Sequence, residues 1–239
     1  MQNMNIGSAK AMGSVPPARC IDKTSVERGR KWVNAYFWGL LAIVFIVIIY
    51  TFDDYGVTWD EWVHSRYGEL VIDYFKSGFH DKRANSFFNL RYYGPLFDSG
   101  TALIYNYFGT PKFETRHLCT ALMALLTLAG VFLYARQFAN PYVTVFSSLA
   151  LITLPRFYGH SFSNSKDIPF ACLFVWSMVG ISRACVKKTL SWRWVVFCGV
   201  TIGLALSIRT GGFLLFYFLI AGRVYTQLCN RPLPCRRTS

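Results

Sequence analysis

"VNAYFWGLLAIVFIVIIYTF" (residues 33–52) is followed a few residues later by "TWDEWVHSRYGELVIDYF" (58–75). The first stretch decides the fold. It carries no charge and has the length of about 20 residues that a helix needs to cross a bilayer core. Arg28, Arg30 and Lys31 precede it, and Asp53 and Asp54 follow it. By the positive-inside rule this places the N-terminus in the cytoplasm and the next segment outside. The apolar run begins too late and is too long for the core of a cleavable signal, so it reads as a signal anchor. Residues 1–32, rich in Gly, Ser and Pro before the basic cluster, read as a flexible cytoplasmic tail.

The whole composition agrees with a membrane chain. Of 239 residues, 53% are hydrophobic and only 15% are charged, which is too apolar for an ordinary soluble domain. The net charge of +13 does not point to nucleic acid, because the basic residues sit at the ends of apolar runs and no nucleic-acid-binding motif is present. Cys20, Cys119, Cys172, Cys185, Cys198, Cys229 and Cys235 form no CxxC pair. Several lie inside apolar runs and read as small buried hydrophobes, not as a disulfide or zinc framework.

Further spans are expected at about 117–135, 142–155, 168–186, 194–208 and 211–228. The fold class is therefore all-α and polytopic, with about six transmembrane helices in one domain over 33–228. Arg136, Lys187, Lys188 and a basic tail at 229–239 then all lie on the cytoplasmic side. A single helix over 194–222 would be roughly 43 Å long, against a core of roughly 30 Å. Arg209, Thr210, Gly211 and Gly212 supply the expected break.

The outer loop, 53–116, holds nine of the chain's twelve acidic residues, eight of them within 53–100. Within it, Trp59, Trp62, Val63, Tyr67, Leu70, Val71, Tyr74 and Phe75 recur at helical spacing. The other face carries Asp60, Glu61, His64, Ser65, Glu69 and Asp73. This pattern predicts an amphipathic helix lying on the membrane surface. Thr58 and Glu61 fit a capping box. Asp60 and Glu61 therefore have two compatible readings: acidic residues favoured by the helix N-terminus, or a carboxylate held at the water–lipid boundary as a general base or metal ligand. Pro95 is expected to open a second surface helix.

The second outer loop, "LPRFYGHSFSNSKDIPFA" (154–171), gathers Arg156, His160, Asn164, Lys166 and Asp167. Asp167 suits the cap of the helix that opens at Pro169. His160 reads more simply as an interfacial hydrogen-bonding residue than as a metal ligand. A plain turn does not require so many charges together. Arg209 lies at the outer end of a span, where it must be paired or hydrated. It either snorkels or binds an anion, since a guanidinium forks phosphate oxygens and the following glycines permit close backbone approach. A base candidate, a mixed-charge loop and a phosphate-type arginine on one face suit a polyprenyl phosphate substrate.

At these residues the chain resembles the GT-C membrane glycosyltransferases, in the branch of dolichyl-phosphate-mannose–protein mannosyltransferases and their bacterial relatives. "WDEWVHSRYGE" is similar to the acidic motif of that family's first outer loop. "RFYGHSFSNSKDIPFA" is similar to its loop between the third and fourth spans, and "GLALSIRTGG" to its basic-residue-then-glycine pattern. The resemblance runs from about residue 33 to 225. It implies an inverting transferase with a polyprenyl-phosphate-linked sugar as donor and membrane lipids around it. Asp60 would deprotonate the acceptor hydroxyl, and Glu61 would orient Asp60 or contact the acceptor. Arg209 would hold the departing phosphate, with Lys166 or Arg156 sharing its charge. Asp167 and His160 would complete the polar site on a periplasmic or lumenal face. No metal ligands are assigned, and a divalent ion stays open.

Family members usually have more spans, so the chain is expected to be a shortened form ending in "CNRPLPCRRTS". A non-catalytic remnant or accessory membrane subunit is the alternative. A transporter fits less well, because the charges sit at span ends and no internal repeat is visible. Sugar and acceptor are not read from the sequence.

Overall fold

A computed structural model describes residues 23–186 and 191–229. Among them the secondary structure is helical. α1 (Lys23–Thr51) is followed by α2 (Trp59–Lys76), α3 (Arg83–Ser86) and α4 (Leu96–Phe108). Then come α5 (Lys112–Phe138), α6 (Pro141–Thr153), α7 (Pro155–Ser163), α8 (Asp167–Val186), α9 (Trp192–Leu206) and α10 (Phe213–Cys229). Short 3₁₀ turns lie at Leu90–Tyr92 and Thr210–Gly212.

Each expected span has a helix at its position. Four stretches are long and apolar enough to cross a membrane: Lys31–Thr51, Lys112–Phe138, Asp167–Cys185 and Thr210–Leu228. α6 and α9 are apolar but have only 13 and 15 residues. At 1.5 Å per residue they reach roughly 20 Å, short of a bilayer core of roughly 30 Å. The count of six spans is thus four full-length helices plus two shorter apolar ones.

Local chemistry sets the helix ends. Asn140 caps α6 by accepting from the Val143 N–H at 2.9 Å, and Pro141 fills the first position, where no N–H is needed. α4 stops at Gly109, whose φ of 64° is the left-handed geometry of a helix C-terminus. The 207–212 segment does break the last apolar run. Arg209 is extended, so α9 and α10 are separate helices. α1 starts at Lys23, ahead of the expected boundary, because "KTSVERGRK" contains ordinary helix formers. Residues 1–22, Lys187, Lys188 and the tail from 230 lie outside the described residues.

α5 is the central post, packed by α1, α4, α6, α7 and α8. α9 and α10 lean on α8 from the far side. Phe37 of α1 stacks on Phe132 of α5 at 4.1 Å between centroids. The Trp176 indole donates to the Leu126 carbonyl at 3.0 Å, tying α8 to α5. Such interhelical polar contacts matter in lipid, where tails compete equally for apolar surface. Cys119, Cys172, Cys185 and Cys198 are all free thiols, in keeping with their reading as packing residues. The side chains of Cys20, Cys229 and Cys235 lie outside the described residues.

The two ends of the bundle differ in kind. At one end Arg136 donates to the Asn34 side chain at 2.7 Å, Arg223 to the Ala184 carbonyl at 2.8 Å, and Arg183 lies over the Trp194 ring. The other end gathers α2, α3, α4, α7 and the α9–α10 break.

That gathering depends on one backbone contact. The Gly94 N–H donates to the Ile208 carbonyl at 3.1 Å and the Leu96 N–H to the Ser207 carbonyl at 3.2 Å. A Cβ on Gly94 would stand 1.9 Å from the Ser207 oxygen. Backbone cannot move aside as a side chain can. Gly94→Ala should therefore cost at least the 1–3 kcal/mol or so typical of overpacking. Thermal unfolding of the purified chain in detergent reads this directly; an unchanged midpoint would mean that the 93–96 segment does not dock on the α9–α10 break.

Candidate active site

α2 is built as the spacing predicts but does not lie with its polar face to water. Glu61, His64 and Ser65 are buried with Leu70, Val71 and Ile72, while Trp59, Trp62 and Phe75 are exposed. The expected orientation is corrected for a physical reason. Buried polar groups are tolerated when partners are waiting, and α4 and α5 supply them. Gly68 makes the approach possible, since a Cβ there would lie 2.2 Å from the Asp98 carbonyl oxygen.

The partners form a chain of side chains. His64 Nδ1 lies 2.7 Å from Asp98 Oδ2. The other Asp98 oxygen accepts from Arg116 Nη2, also at 2.7 Å. Arg116 donates further to Thr101 Oγ1 and Ser165 Oγ, at 2.9 Å each. The guanidinium thus joins α4, α5 and the segment before α8. Arg116 is 1% exposed and Asp98 6%. A charge so deep persists only when paired and hydrogen-bonded.

Glu61 takes part in this buried layer. One of its oxygens accepts from the Thr58 N–H at 2.7 Å, which is the carboxylate arm of the predicted capping box. The other lies 3.0 Å from His117 Nε2, though out of line for a hydrogen bond. His117 is fully buried and neither of its ring nitrogens has a hydrogen-bond partner among the described residues. Glu61 is 2% exposed and is not placed to touch an acceptor.

Asp60, its neighbour, is exposed. Its Oδ1 accepts from the Thr58 hydroxyl at 3.1 Å. It lines a cleft of about 590 Å³ together with Trp59, Val63, His64, Tyr93 and Lys166. Lys166 reaches this cleft from the other outer loop, its Nζ 4.8 Å from the centre of the Tyr93 ring. The size and the mixture of aromatic walls with a few convergent polar groups suit a small polar ligand.

The remaining expected residues stand beside the cleft. Arg209 is ion-paired with Asp167, and both are partly exposed. Asp167 also accepts from Asn164 Nδ2 at 3.0 Å, and Asn164 meets His160 Nδ1 at 3.3 Å. The cap at the start of α8 belongs to Asn164, whose Oδ1 accepts from the Asp167 N–H at 2.8 Å. Asp167 sits within the first turn instead, so its expected capping role is corrected. The Gly212 N–H donates to the Arg209 carbonyl, so that amide is already engaged inside the turn. Arg156 is exposed on α7, away from the cleft lining. Among the described residues no group of three or more His, Cys, Asp or Glu is placed to hold a metal ion.

A second ionic knot steadies α2 further along. Glu69 meets Arg66 at 2.8 Å and is paired with Lys112. Burial pushes the Glu69 carboxyl up, but the Lys112 and Arg66 hydrogen bonds outweigh it and hold it below the ordinary carboxylate value. The Tyr105 hydroxyl donates to the same carboxylate at 3.1 Å. Burial, reinforced by Glu69, pushes the Tyr105 phenol up to about 12.

His64, Asp98, Arg116 and His117 are not singled out by the sequence patterns above. The signal existed: Arg116 and His117 stand together at the head of the apolar α5, and Asp98 interrupts the apolar α4. Charges in such places need partners, but local spacing does not say which.

Residues 94–234 match the family model for dolichyl-phosphate-mannose-protein mannosyltransferases. No curated protein and no solved structure matches the chain. The matched region takes in Asp98, Arg116, Lys166, Asp167 and Arg209; α2, with Asp60, precedes it. With apolar helices of membrane-crossing length and a match over more than half its residues, the chain belongs to the dolichyl-phosphate-mannose-protein mannosyltransferase family of membrane glycosyltransferases.

Proposed function

We propose that the chain transfers a sugar, with inversion, from a polyprenyl-phosphate-linked donor to an acceptor hydroxyl. The transfer occurs in the cleft between α2 and the start of α8, on the periplasmic or lumenal face. One observation carries this reading: Asp60 and Lys166, far apart in sequence, line the same cleft. An inverting displacement needs such a pair. The acceptor oxygen bonds to the sugar C1 while the C1–O bond to phosphate breaks, with its electron pair leaving on the phosphate. Asp60 takes the acceptor proton. Lys166 stabilises the charge growing on the phosphate. Arg209 reinforces Lys166 once its guanidinium turns from Asp167 to the phosphate. Glu61 acts behind the reaction by fixing the first turn of α2, and does not contact the acceptor.

A second reading rests on the Arg209–Asp167 pair. A cation already neutralised by a carboxylate is what a non-catalytic remnant or accessory subunit would retain.

Membranes containing the chain, incubated with radiolabelled dolichyl-phosphate-mannose, separate the two. The proposal expects label to leave the lipid and the product linkage to have the opposite anomeric configuration to the donor. A folded, well-expressed chain that moves no label from this or other polyprenyl-phosphate sugars would establish the second reading.

A further inference from the structure

Glu61 was the residue expected to stand beside Asp60 in the site, and it is sealed in the interior. The residue that does share the cleft with Asp60 is His64, one helical turn further along α2. It is 3% exposed, so it forms part of the floor, whereas Asp60 stands at the rim. Positions four apart lie on one face of a helix, which is why the same α2 face presents both.

The structure around His64 fixes which nitrogen is available. Nδ1 lies 2.7 Å from Asp98 Oδ2. A carboxylate accepts and does not donate, so Nδ1 carries the hydrogen. In the neutral imidazole Nε2 is then the nitrogen with the lone pair, and it is the one left for an occupant of the cleft. Asp98 is itself held by Arg116, and Arg116 by Thr101 and Ser165. The histidine is thus locked in ring orientation and tautomer by a buried chain of three elements. Such locking is more than packing alone would require. An apolar residue could fill the same floor without needing a buried carboxylate behind it.

What would donate to this lone pair follows from the cleft. Trp59 and Phe88 are exposed aromatic walls, and Tyr93 joins the lining with Lys166 over its ring. Asp60, His64 and Asn89 add polar groups to the same lining. Aromatic faces with convergent acceptors and donors suit a hexose, which has apolar C–H faces and a rim of hydroxyls. A sugar attacked by an acceptor hydroxyl that Asp60 deprotonates, with its phosphate at Lys166, must occupy the space that these residues share.

We propose that His64 binds the donor sugar directly: its Nε2, held as an acceptor by the Asp98–Arg116 chain, takes a hydrogen bond from a sugar hydroxyl on the floor of the cleft. This rests on reading the cleft as the transfer site, and it assigns the sugar, rather than the phosphate or lipid, to His64. Asp98 and Arg116 are positioning residues that act through the imidazole.

The test compares two lipids that differ only in the sugar. The full chain in nanodiscs is titrated with tritiated dolichyl-phosphate-mannose and, separately, with dolichyl phosphate. His64→Asn is the informative variant. Its side-chain amide can still donate to Asp98 from near the Nδ1 position but has no group where Nε2 was. The expected result is about tenfold weaker binding of the mannosylated lipid, the effect of one lost hydrogen bond to a fixed acceptor, with dolichyl phosphate binding unchanged. Equal losses for both lipids would mean that His64 only supports the fold, and would overturn the proposal. Unchanged discrimination in the variant would overturn it too, while leaving the transfer-site reading intact. A wild-type chain that binds the two lipids equally would remove the proposed sugar site, whereas the proposed function stands or falls on the transfer of label.

Discussion

Asp98→Ala will destabilise the chain by about 3–5 kcal/mol, the usual cost of stranding one partner of a buried ion pair. Arg116 would keep its hydrogen bonds to Thr101 and Ser165 but lose its carboxylate partner. At 1% exposure it has no route to water without moving α5. His64 would lose its Nδ1 acceptor in the same step. Unfolding of the detergent-solubilised protein measures the loss. Removing the second charge as well, in Asp98→Ala with Arg116→Met, should recover most of it, because the penalty lies in the uncompensated charge and not in the missing attraction. A single variant as stable as wild type would mean that Arg116 and Asp98 are not buried together.

Asp60→Asn will reduce sugar transfer about 10²–10⁴-fold, the range for loss of a positioned general base. The fold will be left in place. Asp60 is exposed, and the hydrogen bond described for its side chain, from the Thr58 hydroxyl, can be made equally to an amide oxygen. The adjacent carboxylate should behave in the opposite sense. Glu61→Ala removes the acceptor for the Thr58 N–H and empties a buried site beside His117, so its first effect is lost stability. Paired measurements of transfer and unfolding on the two variants distinguish base from helix cap. Loss of transfer in Glu61→Ala with full stability, and none in Asp60→Asn, would reverse the assignment.

The same adjacent pair shows how far the sequence could be read. Successive helix residues point about 100° apart, given 3.6 residues per turn. Asp60 and Glu61 can therefore face different surroundings, and here Glu61 is buried while Asp60 is exposed. The spacing of Trp59, Trp62 and Val63 suggested that Glu61, His64 and Ser65 face water, whereas the tertiary partners on α4 and α5 bury all three. Apolar length was readable because it is a local property: "VNAYFWGLLAIVFIVIIYTF" and the Arg209–Gly212 break are both found as expected. Asn164 rather than Asp167 capping α8 is a smaller error of the same kind, since both are good caps and only the loop geometry selects one. His64, Asp98 and Arg116 were not legible because each looks ordinary within its own segment. Their meaning comes from contact across 34 and 18 positions of chain. Lys166 was identified from the charge density of its loop, but its place in the Asp60 cleft is a product of the fold.

The central claim is that one cleft, floored by α2 and closed by the start of α8, receives the lipid-linked sugar. Photolabelling tests it most directly: dolichyl-phosphate-mannose carrying a diazirine on the sugar is cross-linked to the full chain in nanodiscs, and the labelled peptides are sequenced. The account predicts label within 59–64 and 88–93, suppressed by excess unmodified donor. Competable label confined to the apolar crevices, around Leu40 and Val44 or around Ile104 and Met123, with none at α2, would contradict it.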